Sequence, residues 1–500
     1  MGINFYIGTL RVHIDRFGHD KHILCLSRLS PYSIFTPMLR SRYEAFDFVE
    51  KKAEVKKKSG NPILMIVSGY LALVSLGALL LSLPFAQREP VGVLDAFFTA
   101  MSAVCVTGLT TIDISASFTT FGNWVLVVLM QAGGLGIMTI STVIILLAGM
   151  HPGFNHQSAL LANYTQEGNV DAGRILKAVL PFTFLLEAIG AVVYFTQFSD
   201  MELYDRLFCS LFQAVSSFCN VGFTLFPDSL ERFQLNPLMN ITTCVLALAG
   251  GFGFLAITEI RYLFDFKKRA IRKVSLHTHI ATGFTLIIVL VSILFFMFSE
   301  WSNTFEGLNF GQKLETSAFM AFTSRTAGLN SVNVPGLSVG SLFFFVIIML
   351  IGANPGSCGG GIKTTTTAVI FLLGFNRLLG RNKTQILGRT IPETTVDKAV
   401  RIFVVAIVVV VVATLVLLET EAAGNSIEQV SFLKVFFEVA SAYSTCGLSM
   451  GLTPDLSIPG RIVICTVMFV GRMGPLFLIS AVAKKQEQGM WYAEEDIMVG

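Results

Sequence analysis

Charge is scarce in this chain. Of its 500 residues only 14% are Asp, Glu, Lys or Arg, where a soluble domain usually carries about a quarter. Together with 53% apolar residues, that shortage argues against the two or three soluble domains that length alone would allow. Paired cysteines are also missing: the eight cysteines stand singly, with no C-x-x-C. Neither a disulfide framework nor a zinc site is expected. Cys105, Cys219, Cys244, Cys358, Cys446 and Cys465 read as small apolar packing residues. The seven histidines include no H-E-x-x-H. Gly356 and Gly361 before Lys363 and Thr364 nearly spell a phosphate loop, but Ile362 puts the lysine out of register. Gly250-Gly251-Phe252-Gly253 lacks the strand and helix of a dinucleotide fingerprint. Glu187 and Glu259 are isolated acids at or near membrane depth, without a paired nucleophile. Neither an enzyme nor a nucleic-acid partner is expected. Residues 1–60 carry no spanning run and no signal-peptide pattern, and Tyr6 stands where a myristoylation motif wants Ser or Thr.

What is abundant is long apolar sequence. Ile63–Leu83, Trp124–Ala148, Ile175–Phe195, Pro237–Ile257, Ile280–Phe298, Leu342–Phe375, Ile402–Leu418 and Ile462–Val482 each approach the roughly 20 residues that cross a bilayer. Basic clusters precede the first run (Lys51 to Lys58) and follow the fourth (Arg261 to Lys273), the sixth (Arg377 to Arg401) and the eighth (Lys484, Lys485). The alternate loops are richer in acid. A multi-pass protein of the cell membrane with both termini in the cytoplasm is expected.

A weak fourfold repeat organises these runs. Four shorter apolar stretches each end in a few small or polar residues, then glycine, then an apolar residue. They close on Val106-Thr107-Gly108, Asn220-Val221-Gly222, Thr326-Ala327-Gly328 and Thr445-Cys446-Gly447. A second glycine follows each, 24–28 residues later, at Gly133, Gly250, Gly352 and Gly471. The expected fold is an all-α membrane protein of four units, each span, short pore helix, filter loop, span. That makes eight transmembrane helices and four re-entrant pore helices. The units fall at 61–150, 174–262, 277–380 and 398–485, between an extension at 1–60 and a tail at 486–500.

Irregular backbone at membrane depth needs protein or water around it. Four such loops most economically surround one axis, where their carbonyl oxygens can replace a cation's hydration shell. The preceding short helices would point their partially negative C-termini at the same place. Asp113, Asp228 and Asp455, just beyond three of the loops, could concentrate cations, but each alone reads better as a solvated loop acid. Broken helices also mark alternating-access symporters, including sodium-coupled ones. Four repeats rather than two favour a pore.

These residues resemble the KtrB/TrkH/HKT superfamily of potassium uptake systems over roughly residues 60–485. The most specific piece runs from Gly352 through Ala353, Asn354, Pro355, Gly356, Ser357, Cys358, Gly359, Gly360, Gly361, Ile362 and Lys363 into Thr364–Thr366. It is similar to the family's G-x-S-P-G-S-T-G-G-G-I-K-T-T-T, with Asn354 for Ser and Cys358 for Thr. The eight-span layout favours the KtrB-type branch. The resemblance implies an intramembrane gate loop at 352–364. It also implies that Arg472 borders the pore and contacts that loop, and that potassium binds at the filter carbonyls. Gly108, where sodium-transporting plant members have serine, favours potassium. Lys363 reads as the cytoplasmic reach of the broken helix or as pore-lining. Arg325 matches a family arginine turned behind the filter, for which a carboxylate would be a fitting partner. A homodimer with a cytosolic ring of nucleotide-binding, KtrA-like regulatory subunits is implied. No covalent cofactor is expected; sodium dependence stays open.

Overall fold

The computed structural model describes residues 3–7, 10–14, 62–136, 172–253, 256–257, 259, 275–424 and 431–474. The chain divides into two compact units, Met1–Gly60 and Asn61–Gly500. In the first, β1 (Ile3–Ile7) and β2 (Leu10–Ile14) form an antiparallel hairpin with Ile3 opposite Ile14. Among the described residues the second is helical apart from turns, loops and a small hairpin of β3 (Gln385–Ile386) and β4 (Arg389–Thr390).

Its helices recur in triplets: α1 (Pro62–Leu81), α2 (Val93–Cys105) and α3 (Thr120–Leu135); then α4 (Ala172–Gln197), α5 (Leu203–Cys219) and α6 (Pro237–Gly251). Next come α7 (Leu276–Ser299), α8 (Phe310–Thr323) and α9 (Val339–Leu350), with α10 (Thr364–Leu378) as an extra piece. The last triplet is α11 (Glu393–Gly424), α12 (Phe432–Ser444) and α13 (Ile458–Met473).

The middle helices α2, α5, α8 and α12 have 13, 17, 14 and 13 residues. At 1.5 Å per residue none crosses a hydrocarbon core of about 30 Å. They form the buried centre. Small residues along them (Ala96, Ala100, Ala103 in α2; Ser210, Ala214, Ser217 in α5) are wholly or almost wholly inaccessible and let neighbours approach closely. The outer helices reverse this pattern. Leu286, Leu290 and Phe298 of α7 and Val404, Val408, Val412 and Leu415 of α11 are exposed.

The triplets close into a ring. Each third helix packs on the next triplet's middle helix: α3 on α5, α6 on α8, α9 on α12, and α13 back on α2. The last junction carries an ion pair, Arg461 Nη1 to Asp95 Oδ1 at 2.5 Å. At α6–α8, Asn240 Nδ2 donates to Glu315 Oε1 at 2.8 Å.

Every third helix starts the same way. Thr119, Asn236, Ser338 and Ser457 are its N-caps, each accepting a backbone N–H through its side chain. Each cap side chain also donates toward the end of its triplet's first span, to the Phe85 carbonyl, Gln197, Glu300 and Glu421 at 2.7–2.9 Å. Glu300 and Glu421 are fully buried, so helix-capping accounts for two acids that the sequence shows only as loop charges.

Three described helices are long and apolar enough to cross a membrane: Val179–Gln197, Leu276–Ser299 and Glu393–Ala422. Among the described residues, the runs expected to span divide at the third helices. Those of the first, second and fourth triplets stop at Leu135, Gly251 and Met473. The positive-φ glycines Gly136, Gly253 and Gly474 follow, at 83°, 89° and 78°. Each stands three residues after the second-set glycine. The third triplet has Pro355 at that place. Such φ values suit glycine alone, so the helix ends there. The later parts of the expected runs Trp124–Ala148 and Ile462–Val482, and the unit ends near 150, 262 and 485, lie outside the described residues. Leu342–Phe375 divides into α9 and α10, with irregular backbone between them.

Candidate functional site: four glycine loops and the segment packed against them

Each middle helix runs into one of the expected glycine loops, and the four loops meet. Gly108, Gly222, Gly328 and Gly447 all have positive φ, at 93°, 85°, 70° and 94°. A Cβ on Gly108 would collide with the Val221 carbonyl, and one on Gly222 would fall 2.9 Å from the Gly328 Cα. One on Gly328 would collide with the Cys446 carbonyl, and one on Gly447 with the Thr107 carbonyl. Contact therefore passes from loop to loop in chain order and closes on itself. Only glycine satisfies both the dihedral and the approach. The carbonyls of Thr107, Val221, Ala327 and Cys446, each preceding its glycine, lie on this ring.

Three of the helices end alike. Val106, Asn220 and Thr445 are left-handed C-caps, with φ of 59°, 58° and 51°. The next amide reaches back to a serine carbonyl: Thr107 to Ser102, Val221 to Ser216, Cys446 to Ser441, at 2.8–2.9 Å. This is a Schellman closure built on non-glycine residues, two of them β-branched, for which the left-handed region is strained. The same serines hold it in place. Ser102 Oγ accepts from Gly108 N at 2.9 Å, and Ser441 Oγ accepts from Gly447 N at 3.0 Å. Ser216 Oγ donates to the Phe223 carbonyl at 2.6 Å. All three are buried and stand six residues before their glycines. They are hard to see in the sequence because the third loop has Phe322 at that place. There Ser324 stays right-handed, Ala327 and Gly328 both reach the Thr323 carbonyl, and Thr326 takes a φ of 91°.

The Gly352–Lys363 segment packs against these loops. It is a closed hairpin: Gly352 N donates to the Ile362 carbonyl at 2.9 Å, and Thr364 N to the Ala353 carbonyl at 3.2 Å. Asn354 N and Cys358 N donate to the carbonyls of Gly251 and Gly250 at 3.2 and 3.0 Å. Gly360 N donates to Thr445 Oγ1 of the fourth loop at 2.9 Å. A Cβ on Gly359 would fall 2.6 Å from Thr326 Oγ1 of the third. Ser357 Oγ donates to the Asn354 carbonyl at 2.6 Å. Pro355, Gly356 and Ser357 are half-buried, and Cys358 to Gly361 are buried. Lys363 Nζ turns back on the Gly359 carbonyl at 2.5 Å, so its charge sits on the hairpin.

Arg472 bridges two elements. Its guanidinium donates to the Cys358 carbonyl of the hairpin and to the Gly133 carbonyl at the end of α3. Arg325 does not meet a carboxylate among the described residues. Its Nη2 donates to Thr364 Oγ1 at 2.9 Å. Nor is Glu187 isolated: Gln131 Nε2 donates to it at 3.3 Å, and Cys219 lies beside both. A further buried acid that the sequence reading passed over is Glu438 in α12. It accepts from Ser449 Oγ, Leu452 N and Thr453 Oγ1 of the segment that follows the fourth glycine. Of the acids beyond the loops, Asp113 caps a helical turn through Ser115 N. Asp228 is paired with Arg232 at 2.5 Å, which holds its carboxyl below the usual carboxylate range.

The model of the TrkH cation transport protein family matches residues 41–493. The chain is 33% identical over 455 residues to the Ktr system potassium uptake protein B of Bacillus subtilis, covering 90% of this chain and 100% of that one. It is also 33% identical over 457 residues to the potassium/sodium uptake protein NtpJ of Enterococcus hirae, covering 90% and 99%. Among solved structures it resembles the potassium transporter TrkH of Vibrio parahaemolyticus, with a TM-score of 0.67 at 20% identity over 85% of each chain. That likeness shows the same all-α membrane fold. A match across nearly the whole chain places it among transport proteins rather than enzymes, and the chain belongs to the TrkH family of cation transport proteins.

Proposed function

We propose that this chain takes potassium into the cell through a single pore whose selectivity filter is the ring of four glycine loops. The observation that carries the reading is the closed succession Gly108, Gly222, Gly328, Gly447, each glycine against the next loop's carbonyl or glycine. The carbonyls of Thr107, Val221, Ala327 and Cys446 would replace a potassium ion's water. The C-termini of α2, α5, α8 and α12 add partial negative charge. Val106, Asn220, Thr326 and Thr445 complete the filter by setting the turn before each carbonyl.

The Asn354–Gly361 hairpin with Lys363 is the gate in this reading. It packs on the third and fourth loops, and Arg472 ties it to α3. Its glycines let it pass close to the loops. Opening would require moving the hairpin and releasing Arg472, while the filter ring stays in place. A negative-inside potential drives entry by about 2.3 kcal/mol per charge per 100 mV. The basic clusters put both termini in the cytoplasm, and the exposed apolar faces of α7 and α11 meet lipid. A homodimer controlled by a cytosolic nucleotide-binding ring belongs to the same reading. Its support is that relatives are named as proteins B and D of a Ktr system.

Rubidium uptake into proteoliposomes, with potassium and sodium as competitors, tests the reading. Potassium should compete strongly and sodium weakly. Equal competition would remove the potassium filter. Sodium coupling has a specific motive in the potassium/sodium relative; rubidium uptake that requires sodium in fixed ratio would replace the pore with a symporter.

A further inference from the structure

We propose that Glu438 is a positioning residue for ion selection, holding the fourth glycine loop in filter shape against the hairpin that packs on it. The inference rests on the pore reading and adds a specificity-determining side chain to it. Glu438 lies in α12, nine residues before Gly447, and is fully buried. Its Oε1 accepts from Ser449 Oγ and from Leu452 N, the latter at 3.2 Å. Its Oε2 accepts from Thr453 Oγ1 at 3.0 Å. Ser449 Oγ in turn accepts from Gly451 N at 2.9 Å, where the chain turns through a φ of 81°. One carboxylate therefore gathers the segment that leaves the fourth glycine. Three residues further along α12, on the same helix face, Ser441 Oγ accepts from Gly447 N at 3.0 Å. The glycine and the segment after it are thus fixed to one helix.

The same register position does something else in the other three loops. Thr99 donates to the Asp95 carbonyl of its own helix at 2.8 Å, and Gln213 to Ser217 Oγ of its own helix at 3.3 Å. Phe319 has no polar group to offer. The fourth loop also carries a different load. The hairpin donates Gly360 N to Thr445 Oγ1, two residues before Gly447, at 2.9 Å. A moving hairpin would pull there, on a left-handed cap with a φ of 51°. Glu438 acts from the other side of the glycine. Without its oxygens the buried Leu452 N–H and Thr453 hydroxyl lose their acceptor, and an unpaired buried donor is costly. The segment would shift to satisfy them, and the Cys446 carbonyl, next to Gly447, would move with it. Discrimination between potassium and sodium depends on where such carbonyls stand and how many coordinate. Glutamine at this place keeps the clamp. Its amide oxygen can accept from Ser449 and Leu452 N while its NH2 donates to the Thr453 hydroxyl.

Rubidium uptake by the full chain in proteoliposomes, with potassium and sodium as competitors, reads the effect as the ratio of their inhibition constants. Poor folding lowers uptake but leaves that ratio alone, so the ratio separates positioning from mere support. Glu438→Ala should lower the preference for potassium about tenfold, and Glu438→Gln should keep it within about twofold of the original. Ser449→Ala and Thr453→Val, which leave the carboxylate in place, should each lower it about threefold. An unchanged ratio in Glu438→Ala overturns the proposal; if that variant does not fold, an unchanged ratio in both Ser449→Ala and Thr453→Val does so. A Glu438→Gln that loses as much as Glu438→Ala also overturns it, because charge rather than the clamp would then be acting. Amide hydrogen exchange reads the clamp without conduction. Residues 448–453 should exchange roughly tenfold faster in Glu438→Ala and at the original rate in Glu438→Gln; equal exchange in both variants and the unaltered chain contradicts the clamp. Failure of the pore reading shows differently, as an unaltered chain in which sodium competes as well as potassium.

Discussion

The third triplet and the other three use the same second-set glycine for different purposes. In the first, second and fourth, a Cβ on Gly133, Gly250 or Gly471 would collide with the carbonyl of Val104, Phe218 or Tyr443, four residues before each loop glycine. The third helix there slides against the end of its middle helix and supports the loop from behind. In the third triplet, Gly352 meets the carbonyl of Gly360, within its own hairpin. The support has become part of the hairpin, and the local chemistry changes with it. Phe322 replaces the bracing serine, Arg325 enters the loop, and Pro355 stands where the others have a positive-φ glycine. Three triplets brace their loops alike, and the loop of the third is joined to the hairpin instead.

Substitutions at the glycines separate these roles most sharply. Gly250→Ala forces a methyl into the Phe218 carbonyl. Overpacking of well-packed sites costs about 1–3 kcal/mol or more, and little folded protein should elute from detergent size exclusion. Gly352→Ala should fold and alter uptake, because the clash falls on the hairpin. Equal loss of folded protein in both variants would erase the comparison.

Arg472→Ala cuts the bridge between the hairpin and α3. Rubidium uptake should rise severalfold with the melting temperature little changed; unchanged uptake would make the bridge purely structural. Ser441→Ala removes the brace on Gly447 N. A hydrogen bond of about 1 kcal/mol net corresponds to roughly a fivefold loss of potassium preference over sodium, measured by competition. Phe322→Ser, at the corresponding place in the third loop, should bring no matching gain. Asp228→Asn should do least. Its partner Arg232 already binds the carboxylate, and a surface pair is worth about 0–1 kcal/mol. Because Arg232 depresses its pKa, Asp228 stays ionised to lower pH than an ordinary carboxylate. Any small effect of the substitution should therefore persist as pH falls and fade only below the usual carboxylate range.

The ring itself was legible in the sequence, because positive φ and close approach both demand glycine and four glycines stood in register. The hairpin was legible for the same reason: Gly352, Pro355, Gly356 and Gly359 to Gly361 cannot sustain a helix. The bracing serines Ser102, Ser216 and Ser441 were present but hidden, since a fourfold alignment fails at Phe322. The helix ends at Gly136, Gly253 and Gly474 were missed because a hydropathy run counts apolar residues across a break. Arg325 on Thr364 and Arg472 on Gly133 join residues far apart in the chain, across a broken helix and around a ring. No local pattern encodes such contacts.

The most direct test of the central claim is to locate thallium, a heavy analogue of potassium, by anomalous scattering in the full chain. A peak on the axis, coordinated by the carbonyls of Thr107, Val221, Ala327 and Cys446, is the result expected. Thallium bound elsewhere, with those four carbonyls turned away from any cation, would contradict it.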